Sequence, residues 1–257
     1  MDVTADSIQP ADVRAIGTAD LNAALAEGWA DFRAKRGDLL LLPLIYPAMG
    51  LIAATFAFNR DLFPLLFPLV GGFALVGPVA AAGFYEMAKR REAGEDPSWW
   101  HFLDPLNGPR RWPLLALTAG FGFLFIMWMI CAQLIYEYTL GPLNSVTPAA
   151  LFANLFTTPE GWSMVIVGNI VGAGFALIAL GLSFAFPYVV DKAADPLSAA
   201  FTSLRVFQRN PMTTLRWGIT VGLILFAAAI PLLIGLMVAL PVLGYATWHL
   251  YTRAVVR

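Results

Sequence analysis

Charge is the scarcest ingredient of this chain. Asp, Glu, Lys and Arg make up 13% of its 257 residues, about half the roughly 25% usual in a soluble domain. A soluble protein of this length could bury a large core, but it would not need so bare a surface. A bulk positive charge is also missing. The net charge is −1, which excludes the basic field of a nucleic-acid binder. Cysteine is reduced to Cys131, so there is no internal disulfide and no Cys-rich metal site. The two histidines, His101 and His249, are too few for the ligand sets of a haem–copper centre. No Gly-x-Ser-x-Gly, P-loop, His-Glu-x-x-His or Cys-x-x-Cys motif occurs, which removes the enzyme classes those motifs serve. Residues 1–38 are polar and of mixed charge, without the apolar core of a cleavable signal.

What is present is apolar sequence: 59% of residues are hydrophobic. Six stretches are long enough, or nearly so, to cross about 30 Å of hydrocarbon. They run at about 39–58, 62–88, 112–138, 162–190, 212–230 and 232–253. The last two form one apolar run with Pro231 near its middle, which reads as a tight helical hairpin. Of the 16 basic residues, all but Arg60 fall on one side of these spans. They lie in the N-terminal segment, in the stretches after spans two and four, and in the tail. The stretch from Glu137 to Trp162 has none. Such a bias marks the basic side as cytoplasmic. The expected fold is therefore an all-α polytopic membrane bundle of six transmembrane helices in three hairpins, with both termini inside. Residues 1–17 read as a flexible arm and 18–257 as one integral membrane domain.

Each hairpin is preceded by a cytoplasmic amphipathic segment. Leu21, Leu25, Trp29 and Phe32 recur at near-helical spacing in the first, where Asp31 and Lys35 form an i,i+4 pair. Asp96 and Pro97 open the second, which carries Trp99, Trp100, Phe102 and Leu103. In the third, Asp195 is the N-cap and Pro196 the first helical residue, and Leu197, Phe201 and Leu204 mark the apolar face. "LNAALAEG" at 21–28 parallels "LSAAFTSL" at 197–204, and "GPVAAAGFYEMAKR" at 77–90 parallels "LPVLGYATWHLYTR" at 240–253. These parallels predict three repeats of surface helix plus hairpin. The surface helices would lie in the interface, with tryptophan at headgroup level.

Five polar residues in or near the spans are the candidate site residues. Glu86 is an acid near the end of span two, and an intramembrane carboxylate is a functional candidate by default. Lys89 and Arg90 follow it at ion-pairing distance on the same helix face. His249 holds the repeat-equivalent position in span six. Gln133 and Asn169 are amides inside spans three and four, placed for hydrogen bonds between helices. Gly168-x-x-x-Gly172 and Gly218-x-x-x-Gly222 suit close helix packing. Pro43, Pro47, Pro68, Pro78, Pro187, Pro231 and Pro241 lie in or at the ends of spans, where kinks are tolerated and where transporters break helices for substrates.

The stretches "LAEGWADFRA" (25–34), "FALVGPVAAAGFYEMAKRREAGEDP" (73–97) and "LPVLGYATWHLY" (240–251) resemble a prokaryotic family of predicted integral membrane proteins, the domain of unknown function numbered 2189. The resemblance runs from about residue 20 to the end. Its most specific part is the pattern of Gly77, Pro78, Ala81, Gly83, Tyr85 and Glu86. The chain departs from it at "MAKRREAGE", where the family tends toward a Ser-Arg-Arg run. The resemblance implies a bacterial inner membrane but no established activity. Some relatives carry the label cytochrome c oxidase subunit I, which the histidine count opposes as chemistry. A milder reading, an accessory subunit beside a respiratory complex, stays open. Missing enzyme motifs and aromatic-rich surface helices point first to a non-catalytic scaffold or accessory subunit. Its expected partners are the lipid bilayer and a membrane complex or a second copy, with no cofactor and no nucleic acid. The alternatives are a transporter of small solutes or lipids, resting on the repeat, the prolines and Glu86, and a haem-binding or other membrane enzyme.

Overall fold

The computed structural model describes residues 10–34, 81–143, 147–231 and 233–257, with scattered positions between 52 and 78. The expected first span lies almost wholly outside the described residues, as does about a third of the second. Among the described residues every regular element is helical, and the one β-bridge joins Val13 to Val255. The α-helices are α1 (Thr18–Ala34), α2 (Ala82–Glu92), α3 (Arg111–Tyr138), α4 (Pro148–Thr157), α5 (Pro159–Leu182), α6 (Ala185–Lys192), α7 (Pro196–Arg209), α8 (Pro211–Ala229) and α9 (Leu236–Ala254). A 3₁₀ segment covers Trp99–Leu106. Among the described residues, three stretches are long and apolar enough to cross a membrane: Gly108–Tyr138, Pro159–Lys192 and Pro211–Ala229. They coincide with the expected spans three, four and five.

The described residues belong to two compact units. One takes its residues from 1–46, 77–119 and 180–257, the other from 47–76 and 120–179. In the first unit α9 is the central helix, buried over Leu243–Ala246, Trp248, Leu250 and Tyr251, apart from a partly covered residue or two. It packs against α1, α2, α6 and α8. The face that α1 buries comprises Leu21, Ala24, Gly28 and Asp31, spaced three and four apart, as one helical face requires. Gly28 makes the approach close. A β-carbon there would lie 2.6 Å from the Ala246 nitrogen and 2.7 Å from the Val242 oxygen.

Each surface element packs on a helix that ends one of the expected hairpins. α1 packs on α9, the 3₁₀ segment on α2, and α7 on α6. Phe102 carries the second contact. Its ring meets Phe84 edge-on at 5.0 Å and fills the space left by Gly83. Ser203 carries the third. Its hydroxyl donates to the Gly181 oxygen at 2.7 Å and accepts from the Phe184 nitrogen at 3.0 Å. The expected fourth span is thereby interrupted by a turn at Ser183–Phe184. The serine replaces backbone bonds that the turn releases, which is how an irregular stretch is tolerated there.

The capping expected for α7 is present. Asp195 Oδ1 accepts from the Leu197 and Ser198 nitrogens at 3.0 and 2.9 Å, with Pro196 at the first helical position. Asp195→Ala is expected to cost about 1 kcal/mol, read as a fall in melting temperature in mild detergent. The described part of the N-terminal segment, residues 10–17, is tied down along its length. Arg14 N donates to Ala254 O at 2.7 Å, and Val256 N to Asp12 O at 2.9 Å. The Asn210 amide accepts from Ile16 N and donates to Arg14 O, both at 2.9 Å.

In the second unit, Trp128 of α3 organises the packing. Its indole N–H donates to the Pro68 oxygen at 2.8 Å, and its ring meets Phe175 edge-on at 5.7 Å and lies against Gly172. Gly168 has open space beside it, as does Gly222 in the first unit. The paired glycines thus admit one side chain each way rather than a second helix backbone. The stretch between spans three and four, read from sequence as a loop, contains α4. Thr147 caps it by accepting from Ala150 N, and Pro148 opens it.

Candidate functional site

Many of the charged side chains of the first unit meet in three clusters. Glu86 anchors the first. It lies on α2, 3% exposed. Its Oε1 accepts from Arg90 Nε at 2.9 Å, and its Oε2 from Arg110 Nη1 at 2.6 Å. Arg90 extends the cluster to Asp104 at 2.8 Å, whose same oxygen meets His101 Nδ1 at 2.7 Å. The i,i+4 pair expected between Glu86 and Arg90 is therefore present, one turn of helix apart. Lys89 behaves differently from the expected pairing. Its ammonium donates to the Val190 and Asp191 carbonyls at 3.1 and 2.9 Å, satisfying the free oxygens at the end of α6.

His249 anchors the second cluster. Its Nε2 meets Asp31 Oδ2 at 2.8 Å, and its Nδ1 lies 3.3 Å from Glu27. Asp31 also receives Arg91 Nε at 3.0 Å, and Glu27 is gripped by both terminal nitrogens of Arg253 at 2.6 and 3.0 Å. The Asp31–Lys35 pair expected from spacing involves a residue outside the described ones, and Asp31 is directed to α9 and α2. The third cluster joins the C-terminus to the unit. Arg257 meets Asp191 at 3.1 Å and Glu92 at 2.6 Å and stacks 5.3 Å from the Trp248 ring centre.

Gln133 and Asn169 are not brought to these clusters. Gln133 donates to Glu137 at 2.6 Å on α3, beside a shallow groove lined by residues of that helix alone, Phe125 and Met129 among them. Asn169 donates to the Val165 carbonyl of α5 at 2.7 Å. Both amides bond within their own helices, not between helices as expected. Sequence reasoning missed the second partner of Glu86, Arg110, and the role of Asp31. A signal for Asp31 was available, because it continues the three-and-four spacing of the buried residues of α1. Among the described residues no group of three His, Cys, Asp or Glu side chains is placed to hold a metal ion.

Electrostatics give the second cluster a pH dependence. The Arg253 guanidinium bonded to Glu27 holds its carboxyl below the ordinary glutamate value. A carboxylate lowered in this way stabilises the fold fully above about pH 4.3. It withdraws that support as pH falls through the folded-state value. The melting temperature in detergent is expected to drop on acidification through that window, with a shallower drop in Glu27→Gln.

Every carboxylate in these clusters faces a cation, and most contacts join different helices. Chemically, the arrangement is a set of clasps. No curated protein and no solved structure matches the chain. Residues 66–191, which include Glu86, Arg90, Arg110, Gln133 and Asn169 but not His249, match the model of the family described as Predicted integral membrane protein (DUF2189).

Proposed function

We propose that the protein is a non-catalytic scaffold or accessory subunit of a membrane complex in the bacterial inner membrane. The observation that carries this reading is the commitment of Glu86. A transported solute or a proton path would need its carboxylate free, yet both oxygens are held by arginines. The self-bonded amides of Gln133 and Asn169 support the same reading.

The proposed topology is six spans in three hairpins, with both termini cytoplasmic. The basic side chains that set this orientation lie, among the described residues, entirely in the first unit. Three surface elements, each packed on a helix that closes a hairpin, support a threefold internal repeat. A reporter fused near Asn154 is expected on the periplasmic side, and a cytoplasmic result overturns the topology. The functional reading is tested by purifying the tagged protein from native membranes in mild detergent and identifying what accompanies it. Stoichiometric recovery of a membrane complex is the expected result. Recovery of the protein alone overturns it.

A further inference from the structure

Trp100, Leu103 and Leu106 stand at every third position of the 3₁₀ segment. Such a helix turns once per three residues, so side chains three apart eclipse one another. These three therefore form one ridge, and they are 70%, 60% and 45% exposed. The other two sides of the segment are occupied. Asp104 bonds both His101 and Arg90, and Phe102 packs on Phe84. An ion pair on one side and an aromatic contact on the other hold the segment with this ridge exposed.

The ridge leads through Gly108–Arg110 directly into α3, which is long and apolar enough to cross a membrane. Trp112, at the start of α3, is 71% exposed. The Arg111 guanidinium lies 5.3 Å from its ring centre. Arg110 is taken by Glu86, whereas Arg111 has no carboxylate partner among the described residues. An uncommitted arginine stacked on an exposed tryptophan, at the mouth of a spanning helix, is suited to a lipid phosphate. Leu115, three positions after Trp112 on α3, is exposed as well.

We propose that the Trp100–Leu103–Leu106 ridge is inserted in the membrane interface at the N-terminal end of α3, and that Arg111 binds the phosphate of an anionic phospholipid there. The proposal rests on α3 crossing the bilayer. It is independent of the accessory-subunit reading.

Spin labels test it in the full chain, reconstituted in nanodiscs of phosphatidylcholine with phosphatidylglycerol. Leu103→Cys, Glu95→Cys and Ile126→Cys are labelled singly in a Cys131→Ser background. Collision with oxygen reports lipid, and collision with a soluble nickel complex reports water. Position 126 is expected deep in lipid, position 95 in water, and position 103 on the lipid side at shallow depth. Nickel access at 103 equal to that at 95 overturns the proposal while leaving α3 in place. Shielding of 103 from both reagents overturns it in favour of a protein partner. Water access at 126 removes the spanning reading and the proposal together.

The arginine has its own readout. Spin-labelled phosphatidylglycerol is expected to be held preferentially over phosphatidylcholine. The preference should fall roughly fivefold in Arg111→Gln, the effect of one basic residue at an anionic surface, and partly return in Arg111→Lys. An unchanged preference in Arg111→Gln overturns the phosphate assignment.

Discussion

Gly28→Leu is expected to detach α1 from α9 and to cost more stability than any other single change on the helix. Even one added carbon would come within 2.6 Å of the Ala246 nitrogen and 2.7 Å of the Val242 oxygen. Both are backbone atoms of a central helix, so neither can rotate away. Taken alone, removing a glycine from a helix interior favours it by about 1 kcal/mol. Overpacking a tight contact costs typically 1–3 kcal/mol, and a leucine pressed against backbone belongs at the upper end. Separation would also break the bonds from Asp31 to His249 and Arg91, and those from Glu27 to Arg253. The expected result in detergent is rapid amide hydrogen exchange across α1, while α3 and α8 stay protected. Gly28→Ala should show the same pattern more weakly. Slow exchange in α1 of the leucine variant would mean that Gly28 does not set the approach of the two helices.

Glu86→Gln is expected to lower stability by about 3 kcal/mol, the usual cost of removing one partner from a buried ion pair. The glutamine would retain one acceptor but turn an N–H₂ toward one of two arginines. Arg90 would still reach Asp104, whereas Arg110 would keep no carboxylate among those that now face it. The loss should therefore fall on the junction between α2 and the residues entering α3. A double-mutant cycle with Arg110→Met isolates the pair. If the clasp is the role of Glu86, the double variant recovers much of the loss. Near-wild-type stability of Glu86→Gln, with a changed solute flux in vesicles, would instead make Glu86 a functional group.

The parts of the fold readable in advance were those governed by neighbouring residues. The apolar lengths of α3 and α8, the Asp195–Pro196 start of α7 and the Glu86–Arg90 pair all follow from spacings of four residues or fewer, or from simple runs. What spacing concealed was tertiary. The turn at 183–184 depends on a serine some twenty residues later, and no local signal marks it inside an apolar run. Arg110 was read only as a topological charge, although it closes on a carboxylate 24 positions earlier. α4 lay in a stretch that charge counting treated as mere connection, though Thr147 and Pro148 form a legible start. Gln133 and Asn169 were given interhelical bonds because burial was assumed from apolar neighbours. In a chain rich in apolar surface that assumption fails, since an apolar helix can face lipid as readily as protein.

The tie between α1 and α9 also orders events during synthesis. Asp31 and His249 are 218 positions apart. At ribosomal rates of 5–20 residues per second, on the order of ten to forty seconds separate their emergence. For that interval α1 exists without its partner, with Gly28, Leu21 and Ala24 uncovered. The membrane surface beside the translocon is the place where such a helix can wait. Chains halted before residue 236 would never receive the helix that covers α1, and quality-control proteases would meet them as unfinished molecules.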